Sequence, residues 1–223
     1  MIRRRFHREV RAMTENYQLK LDKELERITA EGRVPRLLLH VCCAPCSSYV
    51  LEYLCRFFDI TACFYNPNIS PKSEYDYRAQ ELMRLSKEMT LYRPVTCRIE
   101  DYDPSSFMTV AKGLEKEPEG GERCTACYRL RLTETAKIAA EKGYDYFTTT
   151  LSISPLKDAV RLNTIGGELA QEYGVPYLYS DFKKREGYKR SIQLSSEYDL
   201  YRQDYCGCSF SRAEAERRKE NKK

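Results

Sequence analysis

The sequence predicts an α/β fold: a parallel sheet flanked by helices, in a single domain with a helical N-terminal extension. Three observations carry that reading. Short apolar, β-branched or aromatic runs alternate with longer stretches of helical periodicity. Glycines stand just past three of the helical stretches, at Gly32, Gly143 and Gly174. No internal repeat and no low-complexity linker divides the 223 residues, a length that suits one such domain with terminal extensions.

Residues 14–31 form the first helical pattern, with Thr14 placed to cap it and Tyr17, Leu21, Leu25 and Ile28 on one stripe. The apolar run 36–41 suits a buried strand, and a cysteine-rich turn and a helix over 47–57 follow it. A second strand is expected at 59–65, ended by Asn66-Pro67-Asn68. Helix 74–89 and a third strand at 91–99 come next, then a short helix opened by Asp103-Pro104 and running to about 112. A polar Gly/Glu/Pro loop at 113–121 leads into a long helix over 123–142. Strand 144–151, helix 157–173 and a last strand at 175–179 complete the pattern. In such sheets ligands bind beyond the carboxyl ends of the strands.

Hydrophobic residues make up 42% and charged residues 32% of the chain, an ordinary globular balance. No run of about 18 apolar residues occurs, so a membrane span is not expected. The basic N-terminus, Met1 to Arg8, has no apolar stretch behind it and does not read as a secretory signal. The expected compartment is the cytoplasm. The formal charge is +5, unevenly spread: the run 183–190 has five positive residues and one negative. Such runs are usually solvated faces. The functional alternative is a surface that contacts nucleic-acid phosphates.

Ten cysteines are many for a chain in a reducing compartment, where clustered thiols bind metal or do redox chemistry more often than they form structural disulfides. Three groups stand out: Cys42-Cys43-Ala44-Pro45-Cys46 after the first strand, Cys124-Thr125-Ala126-Cys127 at the start of the long helix, and Cys206-Gly207-Cys208. Cys55, Cys63 and Cys97 lie among apolar residues and read as core. A C-x-x-C pair lets two thiolates reach one centre, and a helix N-terminus favours the thiolate form. Adjacent side chains in an extended turn point opposite ways, so Cys42 and Cys43 are expected to serve different atoms or centres. Seven thiols exceed one four-ligand site. A four-cysteine zinc site, a disulfide relay and an iron–sulfur cluster with a neighbouring metal all remain open, and only the last uses all seven.

The segments Leu39-His40-Val41-Cys42-Cys43-Ala44-Pro45-Cys46, Phe64-Tyr65-Asn66-Pro67-Asn68-Ile69, Gly121 to Cys127, Phe147 to Leu151 with Ser154-Pro155, and Tyr205-Cys206-Gly207-Cys208 resemble the QueH family of epoxyqueuosine reductases, which work without cobalamin. The motifs run in the family's order from about residue 37 to residue 210. The resemblance implies a Rossmann-like domain holding a [4Fe–4S] cluster beside a mononuclear iron. It implies reduction of the epoxide of epoxyqueuosine at the tRNA wobble base, as the last step to queuosine. Cys42, Cys43, Cys46, Cys124, Cys127, Cys206 and Cys208 match the family's metal site, and some relatives have aspartate at the position of Cys46. The division taken here puts Cys43, Cys124, Cys127 and Cys206 on the cluster and Cys42, Cys46 and Cys208 around the lone iron. The expected partners are tRNA carrying epoxyqueuosine and an external low-potential electron donor of the ferredoxin or flavodoxin type, with no membrane. Domain bounds follow: extension 1–33, metal-binding catalytic domain 34–212, basic tail 213–223.

Loss of the epoxide oxygen takes two electrons and two protons, so a proton donor is needed. Asp181, beyond the last strand, stands where a catalytic acid belongs, although a loop or capping carboxylate reads equally well there. Cys46 is the other catalytic candidate. His40, inside a buried strand, reads as a satisfied core histidine. Tyr65, Asn66 and Asn68 follow a strand end and are candidates to contact the modified base, the plain alternative being an Asn-Pro turn. Lys183, Lys184 and Arg185 are the candidate phosphate contacts. A tRNA thiolation enzyme or a zinc-stabilised RNA-binding module is the competing function. ATP-dependent sulfur transfer would call for a Gly-rich loop after the first strand, where this chain has Cys42-Cys43-Ala44-Pro45.

Overall fold

The structure, a computed structural model, describes residues 15–221. Four parallel strands, β1 (Arg36–His40), β2 (Asp59–Phe64), β3 (Thr96–Ile99) and β4 (Tyr146–Thr149), lie in the order β3-β2-β1-β4. The helices among the described residues are α1 (Tyr17–Ala30), α2 (Ala44–Leu54), α3 (Lys72–Glu88), α4 (Pro104–Ala111), α5 (Glu122–Glu141), α6 (Ala159–Tyr173), α7 (Gly187–Glu197) and α8 (Ser209–Glu220).

The sheet has helices on both faces, which is why β1 reads as an unbroken apolar run. Leu37 and Leu39 face a core built with α1, α2 and α3, whereas Leu38 faces α5 and α6. Cys55 and Cys63 are fully buried in these cores and Cys97 is half-buried, as the sequence suggested. The α1 stripe of Tyr17, Leu21, Leu25 and Ile28 is buried. Thr14 lies outside the described residues, and the cap is Asn16, whose Oδ1 accepts from the backbone N–H groups of Gln18 and Leu19 at 3.1 and 3.2 Å.

Several boundaries differ from expectation for identifiable reasons. The third strand begins only at Thr96, because Pro94 has no N–H to give to a ladder. The fourth ends at Thr149, whose Oγ1 accepts from Leu151 N at 3.1 Å and turns the chain into a 3₁₀ turn over Thr150–Ile153. Residues 175–179 are not a strand: Phe147 and Tyr177 form a single bridge, and Pro176 contributes only its carbonyl, accepting from Phe147 N at 3.1 Å. α2 starts three residues before the expected Ser47, because Pro45 occupies the first turn, where its missing N–H costs nothing. α7 was not anticipated. Arg185 and Glu186 both take left-handed backbone before it, at φ 51° and 62°. Its Arg190 then grips Glu52 of α2 at 2.6 Å.

The chain leaves β1 to β2 on one side, and β4 pairs with β1 on the other. The strand order therefore reverses between β1 and β4, and the crevice beyond their carboxyl ends is where such sheets bind ligands.

Candidate metal centre

β1 ends at His40, and the backbone reaches α2 through Val41, Cys42 and Cys43. His40 is fully buried between Thr149 Oγ1, 2.8 Å from its Nδ1, and the Tyr65 carbonyl, 3.2 Å from its Nε2. The carbonyl can only accept, so Nε2 carries the proton and Nδ1 accepts from the threonine hydroxyl. Burial, reinforced by Arg131, pushes His40 down to about 3 and keeps it neutral. It is a satisfied core histidine that fixes the turn after β1.

Cys43 caps α2 and Cys46 lies in its first turn. The sulfurs of Cys42, Cys43 and Cys46 all lie within 4.8 Å of one another, and Cys42 Sγ is 3.8 Å from Cys43 Sγ. The expectation that Cys42 and Cys43 diverge is therefore corrected. The pleat alternation behind it stops at the helix cap, and the turn brings both sulfurs to one side. Hydrogen bonds from Cys43 and Cys46 hold the Cys42 thiol well below its ordinary range, with help from Arg131. The same bonds, and burial, push Cys43 up to about 12 and Cys46 well above its usual value. Three sulfurs this close together, one of them eased toward its thiolate form, are a donor set suited to a cation.

The second group is assembled from remote segments. Cys124 and Cys127 sit in the first two turns of α5, and the Gly120 N–H donates to Cys124 Sγ at 3.2 Å. Cys206-Gly207-Cys208 forms a hook ahead of α8, with Gly207 at φ 118°, a backbone that other residues rarely adopt. Cys208 caps α8, its sulfur accepting from Ser211 N at 3.3 Å. The hook is tied to the body by Ser70 N donating to Gly207 O at 3.0 Å and Arg78 Nη1 donating to Cys206 O at 3.2 Å.

Two adjoining cavities bring all seven cysteines together. The larger, of about 370 Å³, is lined by Cys42, Cys43, Cys46 and Cys206, with walls from the segment after β4 (Leu151, Ile153, Ser154, Pro155, Leu156, Lys157), from Arg78 and Glu119, and from α7 and the 202–205 segment. The smaller, of about 10 Å³, is lined by Cys124, Cys127, Cys206 and Cys208 with Asn68, Tyr128 and Arg131. Cys206 lines both. Cys43 lines the larger cavity beside Cys42 and Cys46, and Cys208 lines the smaller beside Cys124 and Cys127.

Buried cations surround these sulfurs. Arg78, Arg123, Arg131 and Lys157 are each at most 7% exposed. Burial works against the Lys157 ammonium, but Cys206, Tyr128 and Glu119 together outweigh it and hold the group above its usual range. Its Nζ donates to Glu119 Oε1 at 3.2 Å. Asn68 Nδ2 and Oδ1, Arg78 Nη2, Tyr128 Oη, and Arg131 Nε and Nη2 are buried with no protein hydrogen-bond partner. Orphaned donors beside clustered thiols are what an anionic, sulfur-held group would satisfy. On that ground the residues present fit a thiolate-bound metal or cluster.

These cations are what the sequence reasoning missed. A signal existed: Arg131 follows Cys127 by four residues, one turn along the same helix face. Of the other expected site residues, Asn66 is buried, its Nδ2 donating to Val41 O at 2.9 Å and its Oδ1 accepting from Arg131 Nη1 at 3.0 Å. Asn68 lines the smaller cavity, while Tyr65, half-buried with its hydroxyl 3.5 Å from Ser106 Oγ, lines neither. Asp181 lines neither cavity and accepts from Lys183 Nζ at 2.7 Å. Arg185 is paired with Asp22 at 2.5 Å, and Lys184 has no carboxylate partner among the described residues.

The family described as Epoxyqueuosine reductase QueH matches residues 37–214. A relative from Staphylococcus epidermidis, called Epoxyqueuosine reductase QueH, is 44% identical over 211 residues, covering 91% of this chain and 89% of its own. One of the same name from Streptococcus pyogenes serotype M1 is 43% identical over 205 residues, covering 89% and 80%. Another from Thermotoga maritima is 35% identical over 178 residues, covering 78% and 89%. No helix among the described residues is long and apolar enough to cross a membrane. A parallel α/β sheet with its cysteines converging at the strand-order reversal, matched over this span, places the chain in the epoxyqueuosine reductase QueH family.

Proposed function

We propose that this chain reduces the epoxide of epoxyqueuosine to the alkene of queuosine at the wobble position of tRNA, in the cytoplasm. The reading is supported most by one observation: three separate chain segments bring seven thiols to two cavities that share Cys206, ringed by buried cations. Relatives over nearly the whole domain carry the matching name. Cys42, Cys43, Cys46, Cys124, Cys127, Cys206 and Cys208 would hold the [4Fe–4S] cluster and the mononuclear iron. When bound, these groups supply electrons and a Lewis acid for the epoxide oxygen.

The protein's own residues do the rest. A cavity of about 370 Å³ is large enough for a single base with its side chain. Leu151, Ile153, Pro155 and Leu156 give it apolar walls that limit water at the reacting carbons. Overall, epoxide, two electrons and two protons give alkene and water. Lys157 carries a proton at Nζ inside the cavity and can donate it to the departing oxygen. Glu119, which also lines the cavity, holds that ammonium in place, and solvent supplies the second proton and restores the first. We therefore assign the acid to Lys157 in place of Asp181, which Lys183 engages outside the cavity. Lys184 and its neighbours Lys183 and Arg185 remain the proposed phosphate contacts, and an external low-potential ferredoxin or flavodoxin the proposed electron donor.

The deciding experiment is conversion of epoxyqueuosine-containing tRNA by anaerobically reconstituted protein with a chemical reductant. Product with iron and sulfide present supports the reading. One zinc per chain, no iron or sulfide and no turnover would overturn it in favour of a zinc-stabilised module.

A further inference from the structure

Two buried arginines on α5 are paired to very different extents. Arg123 is largely satisfied by protein: its Nη1 donates to the carbonyls of Leu114 and Glu115 at 3.1 and 3.0 Å and to that of Glu117, its Nη2 meets Glu214 at 3.4 Å, and only its Nε lacks a protein partner. Arg131 is just as buried, at 1% exposure, yet makes one side-chain hydrogen bond, to Asn66 Oδ1. Its Nε and Nη2 have no protein partner, and no carboxylate pairs with it among the described residues. An isolated guanidinium withdrawn from water is strongly unfavourable without a compensating anion.

The anions available to it are sulfur. Arg131 lines the smaller cavity with Cys124, Cys127, Cys206 and Cys208, and through Asn66 it is tied to Val41 O, next to Cys42. Those cysteines come from both groups: Cys42 from the turn after β1, Cys127 and Cys206 from the remote set. Asn66 fixes the guanidinium there, because its Nδ2 is committed to Val41 O and only its Oδ1 is left to accept. The placement is therefore set by backbone at the end of β1, the same turn that sets Cys42.

We propose that Arg131 is the built-in counter-charge of the sulfur site, a positioning residue that offsets the thiolates of both cysteine groups and raises the reduction potential of the centre they hold. The inference rests on the metal-binding reading above. A fixed positive charge and N–H groups beside cluster sulfurs stabilise the more negative, reduced state, so removing them makes reduction harder. The same charge favours metal capture by the thiolates.

The test uses the full chain, reconstituted anaerobically, as wild type, Arg131→Met, Arg131→Lys and, as a control on the exposed face of the same helix, Arg129→Met. Redox titration followed by visible absorbance should give a midpoint more negative in R131M, near wild type in R131K and unchanged in R129M. Titration of the unloaded proteins with Co²⁺, read by thiolate-to-cobalt absorption, should weaken about tenfold in R131M and recover in R131K. If R131M does not fold, Arg131→Gln replaces it, since its amide can still donate to Asn66 while the charge is gone. A midpoint and Co²⁺ affinity equal to wild type in a folded charge-removing variant overturn the inference and leave the reductase reading standing. Wild-type protein that takes up no iron overturns the reductase reading first, and the inference with it.

Discussion

The two cysteine groups are built in contrasting ways. The 42–46 trio is local: five consecutive residues, from the turn after β1 into the first turn of α2, carry all three sulfurs, and strand, cap and helix start fix them. The 124/127/206/208 set joins a helix start to a hook nearly eighty residues further on. It depends on ties that belong to neither segment, such as Arg123 on the 113–121 loop and Arg78 on Cys206 O. A local site survives most damage elsewhere, whereas a remote one fails when its ties fail. Cys206 then matters doubly, because it lines the trio's cavity while resting on the remote set's supports.

The sharpest way to separate the two is Arg123→Met. It strips the donor from three carbonyls and leaves Glu214 without its buried partner. We expect a loss of about 3 kcal/mol in urea unfolding. Metal content should fall at the remote set while the trio still binds Co²⁺; equal loss at both groups would dissolve the contrast. Next is Gly207→Ala. An added Cβ would take a strained positive φ and sit 3.0 Å from both Arg78 Nη1 and Ile69 Cγ1. A loss of about 2 kcal/mol is expected, with the same selective loss of metal.

The smallest effect concerns the local side. His40 has its folded pKa depressed to about 3. Its contribution is complete above the unfolded value of about 6.5 and is lost as pH falls below it, because the unfolded chain then binds the proton that the native turn refuses. For the metal-free protein this amounts to about 1 kcal/mol between pH 7.5 and 5.5, relative to a His40→Gln variant measured by urea unfolding at both values. A pH-independent difference between the two would mean that the ring is protonated in place.

Legibility in the sequence followed the same divide between local and remote. Most of the sheet and most helices could be read because β1, β2 and β4 are short runs rich in apolar, β-branched or aromatic residues and most helices carry an apolar stripe. The errors came where one residue removes a donor or sets a boundary: Pro94 and Pro176 shortened or erased strands, and Pro45 opened a helix that looked like a turn. The cysteine groups were visible as motifs, but the sharing of Cys206 between two cavities was not, since only the fold decides where the hook at 206–208 lies. The buried cations escaped notice for a physical reason. Arginine and lysine belong on surfaces unless an anion is brought to them, and here the candidate anions are sulfurs from distant parts of the chain. The basic run at 183–190 shows the converse: Lys183, Arg185, Lys189 and Arg190 all have carboxylate partners.

Cys208 opens the last helix with its own sulfur, accepting the Ser211 N–H. A metal held by that atom would therefore also decide how firmly α8 begins, and through Glu214 how firmly the loop before α5 is held. Helix α8 would then be a gauge of occupancy, and the rate at which a protease trims it, with and without metal, would report from outside on a bond formed deep inside.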